Sequence, residues 1–452
     1  MPEIEEAAVV AADCGQPDKE VRVGIVGYGT VGRATAEILA HNGEEIRRRT
    51  GGACIRVTRA CRNTLRNSGS GLDGVVLVSD WRKVVLADDV DIVVEAIGGT
   101  DVAYDVVRAS IENGKAVVTA NKALIAQYGE ELFGLADQKR VPIGIEATVG
   151  GGVPIIRAIS EALAADRIQA VYGIVNGTAN FILTQMESHG MQFAEALKQA
   201  QEAGYAEADP SLDIDGLDAR DKISILARLA FNASLAPAQI PVTGIRKIAA
   251  TDFHYARRLN STIRLVAAAE RNGGGISVSV GPWLVEHDSM LAKVDGPNNA
   301  IFLAGEKVGT QMLYGRGAGG GATGTAVLSD VVQIARHLAR GQSVPNGLPG
   351  FHKPEKLPLA ERVRPVSWYL RLTVRDHPGI LARVAEAIAR EGINIDSVIQ
   401  EPHMPKERLS FVITLEPVAE CVASRAVQVI NKFDFMLEPV LLLPITSSAG
   451  ER

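Results

Sequence analysis

No apolar run in this chain reaches the roughly 18 residues that a helix needs to cross a bilayer, and the opening stretch, Met1 to Glu20, is acidic rather than basic and then apolar. These two absences argue against a membrane protein and against a secretory signal. The opening stretch, residues 1–20, reads instead as a disordered acidic extension. Positive charge is also short: 47 lysines and arginines against 53 acids leave a net charge of −6. Nucleic acids and anionic membrane surfaces select basic patches, so neither is an expected partner. Cysteine occurs only at 14, 54, 61 and 421, without metal-like spacing. The four read as reduced thiols of a cytoplasmic protein, with no disulfide framework. What the chain does have is length and glycine: 452 residues, 46% hydrophobic, with 45 glycines. A single core stops growing well before that length, so two to four domains are expected.

The first ordered element is an apolar strand, Val21 to Val26, followed by Gly27-Tyr-Gly29-Thr30-Val31-Gly32 and a helical pattern through Leu39. A strand, a glycine turn and a helix in that order place backbone N–H groups and a helix N-terminus where a pyrophosphate can sit. The motif alone is weak among so many glycines; the flanking elements are what make it a dinucleotide site. The second strand, Ala53 to Ala60, leads to Arg59, Arg62, Asn63 and Arg66 with no carboxylate. Arginine there suits a 2′-phosphate, favouring NADP over NAD or dual use. Further strands, Asp91 to Ala96 and Lys115 to Ala120, end in Gly98-Gly99 and in Asn121-Lys122. Lys122 is either a surface charge or a catalyst beside the cofactor.

Beyond a short strand at Val141 to Ile145, Glu146-Ala-Thr-Val149-Gly-Gly151-Gly-Val153-Pro opens a helix near Ile155. Three glycines in a row make a hinge or a set of carbonyls turned toward a cation, with Glu146 as the nearby anion. Asn176, Thr178 and Asn180 stand at the start of another helix, where they could simply cap it. The most charged stretch is Gly204 to Lys222, GYAEADPSLDIDGLDARDK, with Glu207, Asp209, Asp213, Asp215, Asp218 and Asp221 in one short span. Acid runs are usually solvated faces. Asp218 and Lys222, four apart, share one side of a helix; they are a surface ion pair or a carboxylate holding a lysine beside a substrate that carries an ammonium group.

Helix Asp252 to Ala268 and strand Ile276 to Val280 fit a mixed sheet, with His254 a surface or packed histidine. A second glycine-rich loop, Gly315 to Thr325, includes Gly319 and precedes a helix from Ala326 to Ala339. Five prolines between 341 and 365 read as a linker. Behind it lies a split βαβ module: strand Tyr369 to Val374, turn Asp376-His-Pro-Gly379, helix Ile380 to Glu391, strands Ile395 to Glu401 and Leu409 to Leu415, helix Val418 to Lys432 and strand Phe435 to Leu443.

Seven separated motifs, GYGTVG at 27–32, IGG at 97–99, VVTANKALIA at 117–126, EATVGGGVPII at 146–156, GIVNGTANFIL at 173–183, the 204–222 stretch and DHPGILARVAEAI at 376–388, together resemble the monofunctional homoserine dehydrogenases with a C-terminal ACT domain. The resemblance runs from Val21 to Pro444. It implies an α/β chain: a Rossmann-type nucleotide-binding domain (21–150 with 315–340), an α+β substrate and dimerisation domain with a mixed sheet (151–314), a linker (341–365) and a ferredoxin-like ACT domain (366–447). It implies reversible, NAD(P)H-dependent reduction of L-aspartate 4-semialdehyde to L-homoserine in threonine and methionine biosynthesis. By position, Lys222 matches the acid/base lysine and Lys122 a second active-site lysine. Glu207, Asp213, Asp218, Asn176, Thr178 and Gly204 match the substrate site. Gly27, Gly29, Thr30, Val31, Gly32, Arg62, Gly98, Gly99, Thr119, Asn121, Lys122 and Gly319 match the cofactor site. Glu146 with the carbonyls of Val149, Gly151 and Val153 matches a site for a monovalent cation such as Na+ or K+. Asp376, Gly379, Ile380 and Asn394 match an amino-acid effector site, for which L-threonine is the expected ligand unless the module serves dimerisation alone. A homodimer or homotetramer is the expected assembly. Two departures stand out: Ala179 where the family usually has Thr, and Arg316 and Ala322 where it has Pro. A related oxidoreductase and a non-enzymatic sensor on the same scaffold are the competing readings, and intact lysines and acids at the matched positions argue against both.

Overall fold

A computed structural model of the chain describes residues 20–62, 74–342, 348, 350–351, 354–360, 365–402 and 405–446. The acidic leader before Glu20, Asn63, Arg66, Pro345 and Pro349 lie outside the described residues. The chain opens with β1 (Glu20–Val26), α1 (Thr30–His41), α2 (Gly43–Thr50), β2 (Cys54–Cys61), β3 (Val76–Val78), α3 (Arg82–Val85), β4 (Ile92–Glu95), α4 (Asp101–Glu112), β5 (Ala116–Thr119), α5 (Lys122–Lys139) and β6 (Ile143–Gly144). After a single turn, α6 (Ile155–Arg157), come β7 (Ile168–Ile174), α7 (Gly177–His189), α8 (Phe193–Glu202), α9 (Ser211–Ile214), α10 (Leu217–Phe231), α11 (Ala250–Arg258), β8 (Ser261–Asn272), β9 (Gly275–Glu286), β10 (Asn298–Gly305), β11 (Gly309–Arg316) and α12 (Gly320–Ala339). The last part holds β12 (Val366–Val374), α13 (Ile380–Arg390), β13 (Ile395–Gln400), β14 (Leu409–Val418), α14 (Glu420–Ile430) and β15 (Leu441–Thr446). Among the described residues no helix is long and apolar enough to cross a membrane. Two compact units result, one of Met1–Ala165, Ser224–Pro237 and Leu313–Glu355, the other of Asp166–Ile223, Ala238–Met312 and Lys356–Arg452.

The first unit is built on a parallel sheet in the order β3-β2-β1-β4-β5-β6. Strands β4 and β5 are valine-rich and buried on both faces, as a sheet covered by helices on two sides requires. One face packs on α1 and α12 through Ile25, Leu39, Ile92, Val118, Val327 and Ile334; the other packs through Val84, Val93 and Val106. Strand order reverses between β1 and β4, so their carboxyl ends frame the crevice where this architecture takes its ligand. Helix α12 begins six residues before the expected Ala326. Its Gly320 and Gly324, four apart, face α1: a Cβ on Gly324 would lie 3.1 Å from Thr35 N, and one on Gly320 would lie 3.2 Å from Thr30 O. Part of the second glycine run is therefore helix-packing surface rather than loop.

The second unit carries a nine-stranded sheet, β11-β10-β7-β8-β9-β15-β12-β14-β13. Its last four strands have the order expected of a split βαβ module, packed on α13 and α14 through Leu370, Val384, Ile388, Phe411, Ile413 and Ala426. That module does not stand apart: β15 pairs in parallel with β9, Ile445 opposite Leu284.

Several expectations give way here. The helix read as Asp252 to Ala268 stops at Arg258; Asn260 takes a left-handed φ of 50°, and residues 261–272 pair along their whole length with β9. A run that mixes Thr262, Ile263 and Val266 with three alanines suits either state, and the partner strand decides. The last strand lies at 441–446 rather than 435–443, because Phe435 and Met436 turn back to bond Arg375 and bridge Val374. The strand expected at Val141 to Ile145 is only two residues long, Ile143–Gly144. The described part of the proline-rich stretch is anchored. Phe351 is buried against Phe133, ring centroids 4.6 Å apart, and Glu355 bridges Ala233 in the first unit, while Leu359 bridges Ile276 in the second. Cys54, read as a reduced thiol, is disulfide-bonded, whereas Cys61 and Cys421 are free; spacing that rules out a metal site says nothing about a single pairing.

Candidate active site

In the first unit, the glycine turn after β1 assigns a job to each glycine. Gly27 has φ 102° and a Cβ there would meet Ala96 O at 2.4 Å; a Cβ on Gly32 would meet Gly27 O at 2.3 Å. Gly29, the N-cap of α1, has open space where its Cβ would be. Thr30 and Val31 thus begin a helix whose first backbone N–H groups have no intrahelical partner, an arrangement that suits a pyrophosphate. Gly98 and Gly99 leave the end of β4 equally open, with Gly99 at φ 79°. Asn121 ties the two strand ends together. Its Oδ1 caps α5 by accepting Leu124 N–H at 3.1 Å, and its Nδ2 donates to Gly99 O at 2.6 Å. Lys122 is therefore the first residue of α5, with the buried Thr119 just before it at the end of β5. Gly319 caps α12 at φ 109°. Of the arginines, Arg59 is spent on Asp89 at 2.6 Å, while Arg62 sits half-exposed just past the end of β2.

The Glu146 side chain has structural partners of its own. Its buried carboxylate accepts Ile156 N–H at 2.9 Å and Arg157 N–H at 3.0 Å, so it caps the 155–157 turn. Burial and the neighbouring Asp330 raise its pKa to about 7. Asp330 in turn takes Glu146 N–H at 2.8 Å and the Arg157 guanidinium at 3.0 Å. Gly150 and Gly151, at φ 76° and 56°, fold the following chain back. Among the described residues the carbonyls of Val149 and Gly151 accept no hydrogen bond, although both residues are buried.

The second unit holds the acid–lysine cluster. Asn176 leaves β7 in extended conformation and caps α7 by accepting Ala179 N–H at 2.7 Å. That leaves its Nδ2 to donate to Asp213 at 2.7 Å and to Asp218 at 2.8 Å. Lys222, one turn along α10 from Asp218, donates to Asp218 Oδ2 at 2.7 Å and to Val175 O at 2.7 Å. Lys222 and Asp218 are 9% and 7% exposed, so the surface-pair reading fails. Burial raises the Asp213 pKa, against the hydrogen bond from Asn176; the Asp218 charge adds to the rise. Asn299, which the sequence did not flag, donates to the same Val175 O at 3.1 Å and keeps an unpartnered buried Oδ1. Glu207 does not join this cluster. It is exposed, and its main-chain carbonyl accepts the Gln201 side-chain amide at 3.2 Å. Thr178 donates its hydroxyl to Tyr205 O at 2.7 Å, and Gly204, at φ 75°, ends α8 just before.

In the C-terminal module, Gly379 (φ 95°) caps α13, buried Ile380 is its first residue, and Asp376 N–H bonds Lys406 O at 2.8 Å. Asn394 donates to Glu416 at 3.0 Å.

Comparison with known proteins agrees along the chain. Residues 27–146 match the family model "Homoserine dehydrogenase, NAD binding domain", residues 154–332 "Homoserine dehydrogenase", and residues 368–434 "ACT domain". The homoserine dehydrogenase of Neisseria gonorrhoeae is 38% identical over 95% of this chain and 99% of its own, and that of Pseudomonas aeruginosa 38% over 94% and 99%. A solved homoserine dehydrogenase from Thiobacillus denitrificans superimposes with a TM-score of 0.89 at 38% identity, covering 95% of this chain and 99% of that one. A hyperthermophilic archaeal homoserine dehydrogenase in complex with NADPH covers 70% of this chain and 97% of its own, with TM-score 0.60 and 30% identity. With a Rossmann crevice, a buried acid–lysine cluster and relatives matching over almost the whole length, the chain belongs to the homoserine dehydrogenases, NAD(P)-dependent oxidoreductases of amino-acid biosynthesis, and carries a C-terminal ACT domain.

Proposed function

We propose that Lys222 is the acid/base of the interconversion of L-aspartate 4-semialdehyde and L-homoserine, and that NADP is the preferred cofactor. The carrying observation is the buried bonding of Lys222 Nζ to one carboxylate and one carbonyl. Bound NAD(P)H supplies the hydride. An ammonium has three hydrogens; two are directed at Asp218 and Val175, which aims the third. As negative charge grows on the aldehyde oxygen, that hydrogen stabilises it and is then donated. In the other direction the amine accepts the hydroxyl proton.

Glu207 is assigned to the substrate ammonium, with the half-buried Asp213, oriented by Asn176, as a second acid of that role; Thr178 is assigned to the substrate carboxylate, and Gly204 turns the loop that carries Glu207. In the first unit, Gly27, Gly29, Thr30, Val31, Gly32 and Gly319 are assigned to the pyrophosphate. Gly98, Gly99, Thr119, Asn121 and Lys122 are assigned to the nicotinamide end, and Arg62 to a 2′-phosphate. A monovalent cation is assigned to Glu146 with the carbonyls of Val149, Gly151 and Val153; the Glu146 carboxylate also caps the 155–157 turn. The ACT domain is assigned L-threonine as effector, through Asp376, Gly379, Ile380 and Asn394. The enzyme is placed in the cytoplasm as a homodimer or homotetramer, supported by its biosynthetic family and its ACT domain.

The test is oxidation of L-homoserine by purified protein, followed at the nicotinamide absorbance with NAD and NADP in parallel, each with and without L-threonine. Lys222→Ala is expected to lose at least about 100-fold in kcat while binding NADPH normally. Wild-type turnover that survives this change would refute the role of Lys222; an unchanged rate with L-threonine would refute the effector.

A further inference from the structure

Glu95 ends β4 and has no part in the steps above. Its side chain is fully buried. One carboxylate oxygen accepts Ile97 N–H at 2.7 Å, and the other accepts the Thr119 hydroxyl. Thr119 Oγ1 in turn accepts Asn121 N–H at 3.0 Å. The Asn121 side chain donates back to Ile97 O at 3.3 Å and to Gly99 O at 2.6 Å. These bonds close a ring that locks the turn after β4, residues 97–99, to the turn after β5, residues 119–122, which bears Lys122.

The ring also explains why the residue is a carboxylate. Both groups facing it are donors, so both of its oxygens must accept. A glutamine could face only one of them with its oxygen, and its NH2 would leave the other donor unmatched. The cost of the charge is considerable: burial, only partly offset by hydrogen bonding to Thr119, Ile97 and Asn121, raises its pKa to about 7. A group kept at that cost where packing alone would take a neutral side chain calls for a role.

We propose that Glu95 is a positioning residue for hydride transfer, holding the Ile97–Gly99 turn and the Lys122-bearing turn at a fixed spacing for the nicotinamide end of the cofactor. The inference rests on the assignment of these two turns to the nicotinamide. Glu95 itself touches neither cofactor nor substrate; it acts through Ile97, Thr119 and Asn121.

The test compares wild type, Glu95→Gln, Thr119→Val and the double variant. Readouts are kcat and KM for NADPH, and dissociation constants for NADPH and for ADP-ribose, which lacks the nicotinamide. Glu95→Gln is expected to weaken NADPH binding and lower kcat by about tenfold or more while leaving ADP-ribose affinity within about twofold of wild type. Thr119→Val, which breaks the same bond from its other end, is expected to add less than about twofold on top of Glu95→Gln. Equal losses for NADPH and ADP-ribose, full additivity, or a Glu95→Gln enzyme indistinguishable from wild type would each overturn the proposal. Should wild type fail to oxidise homoserine, the functional assignment falls, while the two binding constants still decide the role of Glu95.

Discussion

Lys222 shows how much a single side chain's setting matters. A lysine four residues after an aspartate is worth only a few tenths of a kcal/mol on an open helix face. Here both partners are buried, so removing one strands the other in low dielectric. Asp218→Asn is accordingly expected to lower kcat by about 100-fold through loss of the charge that holds Lys222, a loss read directly in homoserine oxidation. Glu95 gives a stability prediction of its own. Its folded pKa of about 7 lies above the ordinary carboxylate value of 4.5, so the native state holds the proton more tightly than the unfolded chain. Its favourable contribution is complete below pH 4.5 and is lost as pH rises through 7. The loss amounts to roughly 3 kcal/mol. Urea midpoints at pH 6 and pH 8 should therefore differ less for Glu95→Gln than for wild type; an identical difference in both would contradict the raised pKa. Neither Glu95 nor Asn299 was legible in the sequence. A glutamate closing a valine-rich strand carries no pattern of its own, and its partners lie 2 and 24 residues away. Glu207 was legible as one acid of a run that is usually solvated, and it is exposed.

Elements were read well where local chemistry decides and poorly where a neighbour does. The β1–Gly27–α1 unit is written in the sequence because Gly27 answers to its left-handed backbone angle and Gly32 to the backbone carbonyl packed against it. The start of α12 was missed because Gly320 and Gly324 resemble loop glycines until α1 is placed beside them. Replacing Gly324 by Val would force branched methyls against Thr35 and Ala34. Overpacking of this kind costs about 1–3 kcal/mol, and a lowered thermal midpoint together with weaker NADPH binding is expected, because α1 follows the turn proposed to hold the pyrophosphate. An unchanged midpoint would mean that the two helices separate freely. The segment 261–268 was read as helix on composition; twelve cross-strand pairings with β9 outweigh a weak propensity.

Over the whole chain, the ACT domain is bound to the rest of the second unit by more than its sheet edge. Asp252 on α11 is fully buried and accepts Tyr369 OH at 2.7 Å and the Arg371 guanidinium; Arg371 also donates to Lys247 O at 3.1 Å, and Tyr255 OH donates to Ser410 O at 3.0 Å. Asp252→Ala would leave a buried guanidinium without its carboxylate, a loss of about 3–5 kcal/mol. We expect a clearly lower urea midpoint and, if L-threonine acts through this contact, a blunted response to it; a midpoint within error of wild type would show that the network carries no stability. By itself the sequence determined the family, the dinucleotide turn, the order of strands and helices in most of the chain and the residue types at the acid–lysine site, because these rest on short-range spacing and backbone constraints. Only the tertiary structure decided that Asp218 and Lys222 are buried, that Glu146 caps a turn, that Glu95 joins two strand ends, and that the ACT strands continue the substrate-domain sheet. Burial and pairing depend on partners distant in the chain, and no local pattern records them.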